Sequence, residues 1–135
     1  MADPRRQTVD LVPLLRAIEA RLRARDPERH VELAIDGPLT ASADPAQLEV
    51  VLEQLLEMSW QTTRVRAVGH VQVGSLAGPD GTAFFVRDDG LGAADADDPD
   101  LAEISAIVTA HGGRLWTEAA PRAGATIYFT LGRET

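Results

Sequence analysis

The chain predicts an α+β fold, a two-layer α/β sandwich in which about three helices cover one face of a mixed five-stranded sheet. Three stretches carry apolar residues at helical spacing, five shorter ones alternate apolar with polar residues, and clusters of glycine, proline and aspartate separate them. The predicted order is helix, strand, helix, strand, strand, helix, strand, strand.

From Val9 to Arg25, Leu11, Leu14, Leu15, Ile18 and Leu22 recur at three- and four-residue steps, with Arg16, Arg21, Arg23 and Arg25 mostly elsewhere, the pattern of an amphipathic helix. Pro13 suits its early turn. Beyond Asp26-Pro27, Val31, Leu33 and Ile35 alternate with His30, Glu32 and Ala34 in a strand that ends at Asp36-Gly37-Pro38. Asp44 is a good cap for the second helix, with Pro45 at its first position. Its stripe, Leu48, Val51, Leu52, Leu55, Leu56 and Ser59, runs for three turns. Two alternating segments, Gly69 to Leu76 and Thr82 to Arg87, flank Ala77-Gly78-Pro79-Asp80-Gly81, a turn-rich loop that predicts a hairpin. An Asp-Asp-Gly-Leu-Gly turn at 88 to 92 and an acidic loop over 93 to 100 come next. Leu101, Ile104, Ile107, Val108 and His111 mark the third helix, stopped by Gly112-Gly113. The last strands, Arg114 to Glu118 and Ala125 to Leu131, join through Pro121-Arg122-Ala123-Gly124.

At 135 residues and 44% hydrophobic, the chain suits one domain with a real core, expected over residues 8–132 behind a leader or linker at 1–7. No apolar run reaches the ~20 residues of a membrane helix, and Met1-Ala2-Asp3-Pro4-Arg5-Arg6 leads into no signal-peptide stretch, so a cytoplasmic domain without membrane contact is expected. The absence of cysteine excludes disulfides, thiolate metal sites and a cysteine nucleophile. All thirteen basic residues are arginine. Residues 1–29 hold seven of them against five acids, whereas residues 30–135 hold six against sixteen. An acidic body repels nucleic acid and anionic lipid at long range and attracts basic partners, so no nucleic-acid function is expected.

Three segments carry the functional signal: Asp88-Asp89-Gly90-Leu91-Gly92, then His111-Gly112-Gly113-Arg114-Leu115-Trp116, then Gly124-Ala125-Thr126-Ile127-Tyr128-Phe129-Thr130-Leu131. In this order and spacing, and with the flanking elements, the chain resembles the histidine kinase-like ATPase domain of bacterial two-component sensor kinases. The resemblance covers about Thr8 to Leu131 and implies a Bergerat-type ATP-binding fold.

The family's aspartate-glycine turn receives the adenine amino group, and the resemblance places Asp88, Gly90 and Gly92 in that ancestral adenine pocket. The chemistry agrees, because a carboxylate only accepts hydrogen bonds and a missing Cβ lets backbone approach a ring. The bland reading is a tight turn after a strand. The family's second helix reads like Leu-x-x-Val-Leu-x-Asn-Leu-Leu-x-Asn-Ala. Here both asparagines are replaced, by Gln54 and by Met58, the latter where the magnesium ligand belongs. A thioether is a poor ligand for a hard cation. The family's glycine-rich phosphate lid aligns with Ala96-Asp97-Asp98-Pro99-Asp100, where Asp97, Asp98 and Asp100 bring carboxylates and no glycine remains. At ~8 Å and an effective dielectric of ~20, each carboxylate opposes each unit of phosphate charge by roughly 2 kcal/mol before screening. The phosphoacceptor histidine of the family, normally on a separate helical hairpin, has no counterpart: His30 and His70 begin strands, and His111 is expected to be structural.

The resemblance therefore implies a degenerate, pseudokinase-like module of bacterial signalling, with no catalytic residue, no metal and no cofactor expected. Its implied partners are a helical dimerisation domain, a receiver or a sensor domain. The alternative is an active kinase domain that binds Mg-ATP through ligands such as Gln54 and Glu57 and phosphorylates a histidine in trans. A third reading, a metal-binding acidic loop, needs ordered carboxylates between Asp95 and Asp100.

Overall fold

A computed structural model describes residues 4–78, 81–90, 98–120 and 124–132, the side chains of 119 and 120 excepted. In chain order the elements are β1 (Gln7–Asp10), α1 (Leu11–Arg25), β2 (Val31–Ile35), β3 (Thr40–Ala43), α2 (Pro45–Thr62), β4 (Gly69–Gly78), β5 (Gly81–Asp88), α3 (Ala102–Ala110), β6 (Leu115–Ala120) and β7 (Gly124–Thr130). Short 3-10 turns follow α2 at Thr63–Val65 and precede α3 at Pro99–Leu101.

The main sheet has the order β2-β4-β5-β7-β6. β2 and β4 run parallel, and the remaining neighbours are antiparallel. This is the expected mixed five-stranded sheet. One of its faces, carrying Val31, Val71, Val73, Phe84, Val86, Ile127 and Phe129, shares a core with the apolar stripes of all three helices. On α2 the stripe Leu48, Val51, Leu52, Leu55 and Leu56 is at most 1% exposed, which identifies this helix as the centre of the core.

A second, two-stranded sheet of β1 and β3 was not expected. The first helix starts at Leu11 rather than Val9, because Val9 pairs with Ala41 and Asp10 caps the helix by accepting from the Val12 amide at 3.0 Å. The stretch expected to be a leader also enters the fold. Gln7 opens β1, the Arg5 amide donates to Asp44 at 3.0 Å, and the Arg6 guanidinium donates to the carbonyls of His111 and Gly132.

His111 joins these parts. It caps the carboxyl end of α3 and is 4% exposed. Its Nε2 accepts from the Asp44 amide at 3.1 Å while Nδ1–H donates to the Ile107 carbonyl at 2.9 Å, which fixes the tautomer. The structural role expected of His111 is thus a tie between the end of α3 and the start of α2. Gly113 completes it: a Cβ there would stand 1.8 Å from the Thr130 carbonyl oxygen, so only glycine lets the chain leave α3 past the end of β7.

His111→Ala removes both bonds and leaves the partly buried Asp44 amide without its acceptor. It is expected to lower unfolding free energy by about 2–4 kcal/mol in urea melts, with exposed His30→Ala within about 0.5 kcal/mol of the parent. Equal stability of the two variants would remove His111 from this role.

Candidate functional site

The candidate site lies where the end of β5 meets the last turns of α2. Strand alternation turns Asp88 toward the helices and Asp89 toward the opposite face. Asp88 is 8% exposed. Its Oδ1 accepts from the Gly90 amide at 2.9 Å and its Oδ2 from the Ser59 hydroxyl at 3.2 Å. Burial pushes the Asp88 carboxyl above its ordinary value; the Gly90, Ser59 and Thr62 hydrogen bonds oppose the rise, and the charge of Asp89 adds to it.

Asp89 is held from the other side of the sheet. It accepts from the His70 amide at 2.9 Å and pairs with the His70 ring at 2.8 Å, and the far ring nitrogen stands 3.3 Å from Glu32. Partial burial raises the Asp89 carboxyl, but the His70 bonds and charge outweigh it, so the net shift is downward.

Gly90 has a structural reason of its own. A Cβ there would stand 2.3 Å from the Thr62 carbonyl oxygen, so the turn can pack on the end of α2 only with glycine. Both readings of the turn are therefore compatible with Gly90, the tight packing and the access to a ring. Gly92 and Asp97 lie outside the described residues.

Of the α2 positions, Gln54 faces the start of α3. The Gln54 side-chain amide donates to Glu103 in the first turn of α3, a bridge between the two helices. Met58, one turn on, is half-buried and packs against the core. Asp98 accepts from the Asp100 amide at 2.9 Å and caps the 3-10 turn before α3. Glu53 and Glu57, the neighbouring carboxylates on α2, point to α1 instead: Arg21 lies 3.5 Å from Glu53, and Arg25 lies 2.8 Å from Glu57. Among the described residues no group of three or more histidine or acidic side chains could hold a metal ion. A hard divalent cation is thus poorly served here: a thioether at 58, an amide whose NH2 group is held by Glu103, and a carboxylate paired with arginine. The adenine end fits better, since the Asp88 carboxylate has acceptor capacity beyond its bonds to Ser59 and Gly90.

Ser59, Thr62 and Glu103 were not singled out from sequence as site residues. Ser59 carried a signal, because a hydroxyl in an otherwise apolar stripe requires a buried partner; Glu103 carried none.

No family model matches the chain. The ATP-binding domain of PrrB from Mycobacterium tuberculosis superimposes with a TM-score of 0.73 at 19% identity, covering 97% of this chain and 99% of that one. The chain has the histidine kinase ATP-binding domain fold. Acinetobacter baumannii histidine kinase AdeS gives 0.74 at 18% identity over 95% of this chain and 68% of that one. Full-length ShkA, solved in complex with AMPPNP, gives 0.71 at 25% identity over 93% of this chain and 30% of its own. In sequence, the methanogenesis regulatory histidine kinase FilI of Methanothrix harundinacea (strain 6Ac) is 32% identical over 107 residues, which cover 65% of this chain and 12% of that protein. The resemblance read from the Asp-Asp-Gly-Leu-Gly turn and its flanking segments holds at the level of fold. Among the described residues no helix is long and apolar enough to cross a membrane.

A raised carboxyl favours the folded state at low pH: its contribution is fully present below the unfolded value and is lost as pH rises through the folded one. Asp88→Asn can keep a bond to the Gly90 amide and another to Ser59 without burying a charge. It is expected to be more stable than the parent near pH 7, with the gain shrinking toward zero near pH 4 in paired urea melts. A gain that stays constant across that range would mean that Asp88 carries no buried charge. The parent still weakens in acid through Asp44, Glu19 and Asp89, whose carboxyls are held below their ordinary values.

Proposed function

We propose that the chain is a histidine kinase-type ATP-binding domain of two-component signalling that has lost its magnesium ligand and phosphate-binding lid and works as a regulatory or protein-interaction module. One observation carries the loss of function. Both side chains that an active form would need as substitute ligands are held inside the chain, Gln54 by the bond from its amide nitrogen to Glu103 and Glu57 by its pair with Arg25. Met58 adds no hard donor, and the lid carboxylates Asp98 and Asp100 stand at the start of α3, where an active relative's phosphates are expected to be received. Asp97 would add to them.

On this reading the domain turns over no ATP and has no catalytic residue, metal or cofactor of its own. Its partners belong to the same pathway: a helical dimerisation domain, a receiver or a sensor domain, met in the cytoplasm. The competing reading, an active kinase domain acting in trans, is favoured by Asp88 and Gly90, which keep an adenine-compatible turn.

Titration with ATP and ADP, with and without magnesium, separates the two by calorimetry or thermal shift. No saturable binding up to millimolar nucleotide is expected, and saturable magnesium-dependent ATP binding would overturn the proposal. Met58→Asn alone is expected to leave ATP binding absent, because Glu103, Asp98 and Asp100 still oppose the phosphates. Tight Mg-ATP binding by that single variant would show that the lid charge matters little.

A further inference from the structure

The main sheet ends in β2 on one side and β6 on the other, and the two edges differ. On β2 the Arg23 guanidinium donates to the Val31 carbonyl at 2.8 Å and so occupies part of the edge. β6, Leu115-Trp116-Thr117-Glu118-Ala119-Ala120, pairs with β7 in one unbroken register and with no other strand among the described residues. It holds no proline, no bulge and a single charge, Glu118, so it lacks most of the devices that keep an edge from joining another strand.

The register fixes which groups this edge offers. The Thr130 amide donates to the Arg114 carbonyl at 2.9 Å, and the pairing continues through Trp116 with Tyr128 and Glu118 with Thr126. The backbone groups of Arg114, Trp116 and Glu118 therefore face β7, and those of Leu115 and Thr117 face outward. Side chains alternate across the sheet. Leu115 packs toward the core, which leaves Arg114, Trp116 and Glu118 on the face turned away from the helices.

We propose that β6 docks β6 of a second copy of this chain, antiparallel, with Leu115 opposite Thr117 of the second copy and the two-fold axis passing between the facing Trp116 residues. Leu115 and Thr117 then exchange both backbone bonds on either side of the axis. In the same register Arg114 of each copy stands directly opposite Glu118 of the other. Like charges would repel there, and these are opposite. Shifting the register to set Thr117 opposite itself puts Trp116 against Glu118, and the shift the other way puts Arg114 against Trp116. Shifts of a single step face outward backbone groups with inward ones. The charges of this strand are thus self-complementary in the centred register, as a two-fold interface requires.

Both charged groups are exposed and have capacity for the contact. Arg114 makes no ion pair among the described residues, whereas Arg16, Arg21, Arg23, Arg25 and Arg64 all do. Its guanidinium lies 4.7 Å over the Trp116 ring, and a stacked guanidinium keeps its hydrogen-bonding edge open to a carboxylate. Glu118 accepts from the Tyr128 hydroxyl at 3.3 Å through one oxygen, which leaves the other. One short strand buries far less than the ~1,600 Å² of a standard interface, and the net charge of −8 on each copy opposes association, so the dimer is weak.

Sedimentation equilibrium of the whole chain from about 20 µM to 1 mM, with indole NMR signals followed over the same series, tests the pairing. A monomer–dimer equilibrium is expected. The Trp116 signal should move with concentration while that of Trp60, buried among the helices, stays in place. Arg114→Glu and Glu118→Arg each set like charges opposite one another and are expected to weaken association about tenfold or more at unchanged melting temperature. An equimolar mixture of these two variants restores both pairs between unlike copies, and the double variant Arg114→Glu, Glu118→Arg restores them between like ones. Both are expected within about threefold of the parent. Thr117→Pro removes an outward amide, leaves the ladder to β7 intact and should abolish association. A chain that stays monomeric throughout, association that survives the single charge reversals, or a mixture that fails to recover it would each overturn the proposal.

Discussion

The Asp44 amide donates to Nε2 of His111 at 3.1 Å, and this bond sets where α2 begins relative to where α3 ends. α2 has eighteen residues and is about 27 Å long, so an error in its seating at one end would be carried to the other. Two further bonds hold it along its length. Gln54 reaches Glu103 at the middle, and Ser59 reaches Asp88 near the far end. The three partners come from the end of α3, the start of α3 and the end of β5. Hydrophobic burial along Leu48, Val51, Leu52, Leu55 and Leu56 supplies most of the driving force, but burial is not directional. The three polar contacts select one axial position and one rotation of the helix.

The same geometry bears on the Asp88 turn. Gly90 packs on the Thr62 carbonyl, Gly124 packs so closely on Asp88 that a Cβ would stand 1.7 Å from its carbonyl oxygen, and the Asp88 side chain is tied to Ser59. Each of these is a demand of the fold and needs no ligand to explain it. An aspartate-glycine turn in this setting can therefore persist for packing alone. Its presence is weaker evidence for nucleotide recognition than the sequence pattern suggests. Met58 and Asp98 likewise have places in the fold, Met58 against the core and Asp98 as cap of the 3-10 turn before α3.

The elements legible in the sequence were those whose signal is local. The stripes of α1, α2 and α3 follow from helical spacing, and the cap at Asp44 with Pro45 behind it gave the start of α2 to the residue. β1 and β3 were not legible. Gln7 to Asp10 offers one apolar residue, Val9, and Thr40-Ala41-Ser42-Ala43 is too small and polar to alternate, so these residues become strands only by pairing with each other across thirty or more positions. Arg5 and Arg6 were invisible for the same reason, since their partners at Asp44, His111 and Gly132 are distant in sequence. In the site, Asp88 and Gly90 could be read from their motif and Gln54 and Met58 from their place on the helix. The partners of Asp88 and Gln54 could not, because Ser59 lies 29 residues from Asp88 and Glu103 lies 49 from Gln54.

The uneven charge of the sequence also changes meaning once the chain folds. Read linearly, a basic first segment precedes an acidic body. In the structure α1 lies along α2, and Arg21 and Arg25 meet Glu49, Glu53 and Glu57, three carboxylates at four-residue steps on the acidic helix. Such exposed pairs contribute little stability each, about 0–1 kcal/mol, yet they decide what else those carboxylates can do. A cation approaching Glu57 would have to displace a guanidinium at 2.8 Å and desolvate the carboxylate as well. The helical ridge that looks like a reservoir of spare ligands is thus already paired from within, two guanidinium groups serving its three carboxylates.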